Sequence, residues 1–122
     1  MLLNELYTIR EKTQIENGLT VTIELNPEHF VYKAHFPGTP ITPGVYLLQI
    51  AKEILDEHFN ASLTFTAAKN VKFLQILNPL QNSEATYKIN WKIVDGCYET
   101  SITVEHQKIV FVKISAAFRV LA

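Results

Sequence analysis

Three prolines and two glycines between residues 37 and 44 constrain this chain more than any other stretch. Pro37, Pro40 and Pro43 each fix their own φ and bias the preceding residue toward extended backbone, so together they hold the loop in one shape. Gly38 and Gly44 allow close approach of a second strand or of a ligand. Pro43-Gly44 then opens an apolar helix, with proline in the first turn, where its missing N–H costs nothing. The unpaired N–H groups of that turn, at the positive end of the helix dipole, form a site for a carbonyl oxygen that gains negative charge. His35 stands at the head of the same loop. A proton acceptor held beside an oxyanion site is the minimum needed to remove a proton from carbon next to a carbonyl.

The run His35-Phe36-Pro37-Gly38-Thr39-Pro40-Ile41-Thr42-Pro43-Gly44-Val45 resembles the signature of the hot-dog-fold 3-hydroxyacyl-[acyl carrier protein] dehydratases of bacterial fatty acid and related polyketide synthesis. The resemblance is contiguous from His35 to Val45; beyond it, the likeness is one of element order and length over most of the chain. It implies an α+β hot-dog fold, a long central helix wrapped by a curved antiparallel sheet, as a single domain over residues 1–122. It implies that His35 is the base for the α-proton and then manages departure of the β-hydroxyl as water. The Gly44 N–H would polarise the thioester carbonyl, and Phe36, Pro37, Gly38, Pro43 and Val45 would line the substrate. It further implies a dimer or higher homo-oligomer with the pocket at the subunit interface, an acyl carrier protein thioester as substrate, and no cofactor.

One position departs from the pattern. Five residues past the glycine, where the family carries a helix acid, stands Gln49. Glutamine has the reach of glutamate and holds a water or hydroxyl by hydrogen bonds, but it has no titratable proton to give. A general acid or base contributes a factor of about 10²–10⁴ in rate. Glu53, one turn further on, is the nearest carboxylate and would help only in a reshaped pocket. Gln49, Lys52, Glu53 and Asp56 share one helix face, which in the plainer reading is solvated or rests on a partner subunit. The plainer reading of His35 is a loop histidine that caps a backbone group.

Bulk properties fit one globular domain. The chain has 122 residues, 48% of them hydrophobic and 19% charged, which argues against disorder. A formal net charge of −1 gives no basic field for nucleic acid. A single cysteine, Cys97, excludes an internal disulfide and suits a reducing compartment. The first residues show no basic and apolar leader, and no uninterrupted apolar run is long enough to cross a bilayer, so the cytoplasm is the expected location. His29, His35, His58 and His106 lack metal-ligand spacing, and no metal is expected. Neither a phosphate-binding glycine loop nor a Gly-x-Ser-x-Gly elbow is present.

Period-2 alternation predicts strands from Leu6 to about Ile15, over Thr20–Leu25, over Leu63–Ala68 continuing at Val71–Leu74, over Ala85–Val94, over Ser101–Glu105 and over Ile109–Arg119. The Glu16-Asn17-Gly18 and Asp95-Gly96 turns read as hairpins because their residues tolerate positive φ. The helix is expected from about Pro43 to Phe59, apolar over more than one stripe and therefore enclosed by a sheet. The aromatics Phe65, Phe73, Tyr87, Trp91, Phe111 and Phe118 are expected in the sheet core or as an acyl-binding wall. Lys33, Lys69 and Lys72 are candidates to meet an acidic carrier protein. Three functions fit: dehydration of a 3-hydroxyacyl thioester to the trans-2-enoyl thioester, a weak or inactive subunit that binds acyl chains or pairs with an active homologue, and, more distantly, an acyl thioesterase.

Overall fold

In a computed structural model that describes residues 1–34 and 38–121, a five-residue helix and a sixteen-residue central helix accompany one six-stranded sheet. The elements are β1 (Tyr7–Ile15), β2 (Gly18–Leu25), α1 (Phe30–Ala34), α2 (Gly44–Phe59), β3 (Leu63–Phe73), β4 (Glu84–Val94), β5 (Cys97–His106) and β6 (Ile109–Val120). The sheet order is β1-β2-β4-β5-β6-β3, with every neighbouring pair antiparallel. α2 therefore carries the chain from the β2 side of the sheet to β3 at the opposite edge, which an α+β arrangement requires of a helix inserted into a meander.

Alternation decides which face is covered. Val21, Ile23 and Leu25 on β2 are buried, as are Ala85, Tyr87 and Ile89 on β4, Ile102 and Val104 on β5, and Val112, Ile114 and Phe118 on β6. Register aligns them in rows, with Val21 opposite Tyr87, Tyr87 opposite Val104 and Val104 opposite Val112. Against this face α2 sets Leu47, Ile50, Ala51, Ile54 and Leu55, all buried. Each large aliphatic side chain so enclosed contributes about 1.5–3 kcal/mol. Tyr87 also donates its hydroxyl to the Leu47 carbonyl at 2.8 Å, tying the middle of the sheet to the first turn of the helix.

Helix ends follow their local chemistry. Pro43 is the N-cap with extended backbone (φ −62°, ψ 144°). Asn60 closes the helix in the left-handed conformation (φ 49°), where its N–H and that of Ala61 take the Glu57 and Asp56 carbonyls. The Asp56 carboxylate then accepts the Leu63 N–H at 2.8 Å and so sets the start of β3.

Several expectations need correction. Gly18 does not have positive φ: the β1–β2 loop is Glu16-Asn17, with Asn17 at φ 53°, and Gly18 is the first residue of β2. Its small size is needed for another reason, since a β-carbon there would lie 2.9 Å from both the Ile89 carbonyl and Asn90 Oδ1. β3 is one strand with irregularities at Phe65/Ala67 and Ala68/Asn70, not two segments. β5 runs from Cys97, immediately after the Asp95-Gly96 turn, so the strand-like reading of Cys97–Ser101 holds and joins the Ser101–Glu105 strand. The turn between β5 and β6 places Gln107 and Lys108 at positive φ without any glycine. α1 was not expected, and Phe73 is not core but 59% exposed.

Among the described residues no helix is long and apolar enough to cross a membrane, and no cluster of ligating side chains is placed to hold a metal ion.

Candidate functional site

Thr42 anchors the proline loop as it enters α2. Its N–H donates to the Leu77 carbonyl at 2.9 Å, and its buried hydroxyl lies 2.9 Å from the Tyr32 hydroxyl on α1. The next residues begin the helix, where Tyr46 and Leu47 N–H both reach back to the Pro43 carbonyl. The Gly44 and Val45 N–H groups precede the first intrahelical bond and have no acceptor among the described residues. That is the arrangement an oxyanion site needs. The outer edge of the exposed Phe73 ring lies over Gly44, in the space a β-carbon would take.

In the second turn of the helix, Gln49 meets Glu53. Gln49 Nε2 donates to Glu53 Oε2 at 3.1 Å. The same carboxylate accepts the Leu2 N–H at 2.9 Å, the Leu3 N–H at 3.0 Å and the Tyr7 hydroxyl at 3.1 Å. Glu53 is only 5% exposed, so the expectation of a solvated or partner-facing side chain is corrected at this position. Among the described residues its carboxylate meets four donors and no cation, an arrangement a buried carboxylate tolerates when its lone pairs are filled. Burial, and then the adjacent Glu53 carboxylate, push the Tyr7 pKa far above the ordinary phenol range, which keeps its hydroxyl a donor. Glu53 is thus a structural hub between the N-terminal residues and the helix, already saturated, and not a spare general acid.

Beside Gln49 lies a cavity of about 360 Å³, lined by Leu2 and Glu5 from the N-terminal segment, His29 and Phe30 before and within α1, and Tyr46 on α2. His29 is 8% exposed and stacks on the Phe30 ring at 4.6 Å between centroids. Its Nδ1 accepts the Val31 N–H at 3.1 Å. A nitrogen that accepts carries no proton, so the neutral ring holds its hydrogen on Nε2.

Of the residues singled out from sequence, His35, Phe36 and Pro37 lie outside the described residues. Gln49 lines the cavity just described, while Gly38, at φ 85°, lines a separate depression with Pro27, Tyr32 and Lys33. Pro43, Gly44 and Val45 mark the helix start and line neither, and Val45 is 68% exposed. Lys69 is paired with Glu99, 2.5 Å away, and Lys33 and Lys72 are exposed. Sequence reasoning missed His29 as a site residue, although a polar residue that caps a backbone N–H two positions on is a readable local signal.

Comparison with known proteins adds a family. Over 56 residues the chain is 32% identical to the 3-hydroxyacyl-[acyl-carrier-protein] dehydratase FabZ of Latilactobacillus sakei subsp. sakei (strain 23K), a match that spans 40% of this chain and 40% of that protein. In three dimensions it is similar to a chain of the dehydratase heterocomplex ApeI:P from Xenorhabdus doucetiae, with a TM-score of 0.78 and 18% identity over 91% of this chain and 96% of that one. It is also similar to the putative thioesterase yhdA of Lactococcus lactis, at a TM-score of 0.66 and 10% identity over 96% of this chain and 93% of the other. These likenesses bear out the hot-dog fold, which dehydratases and thioesterases share. The ApeI-like profile, described as ApeI dehydratase, matches residues 11–111, and the chain belongs to that family.

Proposed function

We propose that this protein dehydrates a 3-hydroxyacyl thioester borne on an acyl carrier protein to the trans-2-enoyl thioester. The observation that carries the reading is the unbroken His35–Val45 signature in a chain of the ApeI-like dehydratase family, running into a helix whose first N–H groups have no acceptor among the described residues. His35 takes the α-proton while the Gly44 N–H holds the negative charge that develops on the thioester oxygen. The Cβ–O bond then breaks, and the hydroxyl leaves as water with the proton that His35 returns. Gln49 positions that hydroxyl but cannot protonate it.

A second reading has support of its own. β3 is an edge strand, and beside it Val45, Phe73, Leu74 and Ile76 are exposed. A long edge flanked by apolar side chains is a surface for another chain. The Xenorhabdus protein it is similar to is described as a heterocomplex. A homologous partner of that kind would supply the carboxylic acid that position 49 lacks.

Assay of the purified chain, alone and mixed with a homologous hot-dog subunit, separates the two. Turnover by the chain alone supports a self-sufficient enzyme. Turnover only in the mixture supports the paired subunit, and none in either contradicts the enzyme reading.

A further inference from the structure

We propose that His29 and Gln49 together form a subsite for one hydroxyl group, with His29 donating to its oxygen and Gln49 accepting its hydrogen. The choice of a hydroxyl-bearing acyl ligand rests on the dehydratase reading; the donor–acceptor pair rests on the hydrogen bond each residue makes and on their shared place in the cavity wall.

Glu53 sets one half of the pair. A carboxylate only accepts hydrogen bonds, so the Gln49 amide must turn its NH₂ side toward Glu53 Oε2, 3.1 Å away. The other end of the amide, Oε1, is then the acceptor available to the cavity. The Leu2, Leu3 and Tyr7 donors hold the Glu53 carboxylate in place, so the amide orientation is built in before any ligand arrives. Glu53 also lines the cavity, but its carboxylate is already filled by four donors, and in this scheme it is a positioning residue.

Val31 sets the other half. Its N–H occupies His29 Nδ1, which leaves Nε2–H as the donor of the neutral imidazole. No described residue accepts from Nε2, yet no side-chain nitrogen or oxygen among the described residues is sealed without a partner. With His29 more than nine-tenths buried and lining the cavity, we assign that donor to the cavity. A hydroxyl is the small group that accepts from one side and donates to the other. Phe30, Tyr46 and Leu2 supply apolar or aromatic wall around it. The subsite gives the chain a neutral hydrogen-bond donor at the hydroxyl oxygen, the contact that Gln49 in this orientation does not provide.

The test compares binding of the N-acetylcysteamine thioesters of 3-hydroxybutyrate and butyrate to the intact protein. The expected result is about tenfold tighter binding of the hydroxy compound, the size of one net hydrogen bond. His29→Asn removes Nε2 but keeps an acceptor for Val31 N–H, as Asn26 Oδ1 already does for Glu28 N–H at 3.0 Å. That variant and Gln49→Met are each expected to erase the preference for the hydroxy compound. Measurable but equal affinities in the unmodified protein overturn the subsite and leave the dehydratase reading standing. No binding of either thioester contradicts both. Nitrogen-15 NMR of the His29 ring supplies a readout independent of ligand: the Nε2–H tautomer is expected, and the Nδ1–H tautomer overturns the proposal.

Discussion

Gln49 and Glu53 are hydrogen-bonded across one turn of α2, with the amide nitrogen as donor and the carboxylate as acceptor. The residue that departs from the family's helix acid is therefore not an isolated loss. It fills the fourth donor position around a carboxylate that also fastens Leu2, Leu3 and Tyr7 to the helix.

That relationship shapes what Gln49→Glu will do. The introduced carboxyl would face Glu53 Oε2 at hydrogen-bond distance, and two carboxylates that close do not both ionise. The introduced group is thus expected to keep its proton above the ordinary carboxyl range, which suits a general acid. Turnover of a 3-hydroxyacyl thioester is expected to rise by about tenfold or more, toward the range of an added general acid, and to fall again on the alkaline side. The pH dependence of kcat/KM checks this, and a rate unchanged from the parent at every pH would contradict it.

Gly18 is predicted to resist substitution because of the backbone opposite it. A β-carbon there would come within 2.9 Å of the Ile89 carbonyl, which cannot swing aside as a side chain can. Gly18→Ala is expected to cost about 1–3 kcal/mol, the usual penalty of overpacking. Urea denaturation reads this directly, and full stability in the variant would show that the β2–β4 pairing yields easily.

His58 makes stability depend on pH. Partial burial against Phe59 and Trp91 depresses its pKa below the ordinary 6.5, and the Lys12 charge adds to the effect. A base with a depressed folded pKa binds its proton more readily when unfolded. The unfolded state therefore gains protons first as pH falls below 6.5, and stability declines until the folded pKa is passed. Above that window the contribution of His58 is constant. Thermal melts between neutral and mildly acidic pH are expected to show the decline, and His58→Gln to flatten it.

Much of this architecture is legible in the chain because its signals are local. The alternation of Val21, Ile23 and Leu25, the Asp95-Gly96 turn and the Pro43-Gly44 helix start each depend on residues within a few positions. What was misread depends on distant partners. Gly18 looked like a turn glycine because Asn17-Gly18 is a hairpin signal, yet its role comes from Ile89, a strand away. Glu53 looked like part of a polar helix face because helical spacing says nothing of residues 2 and 3 folding back over it. Phe73 looked like core because an aromatic in a strand normally is, whereas it sits at the exposed end of an edge strand over Gly44. The candidate site divides in the same way. The loop motif and Gln49 are readable in sequence, while the cavity that joins Gln49 to His29 exists only once α1 and the N-terminal segment are in place.

The most direct measurement is dehydration of a short 3-hydroxyacyl carrier-protein conjugate by the purified protein beside His35→Ala. The account predicts formation of the trans-2-enoyl thioester by the parent protein and loss of at least about a hundredfold in the variant, the contribution expected of a general base. Equal turnover by the two well-folded proteins would contradict it, because the chemistry would then not depend on the loop from which the functional reading begins.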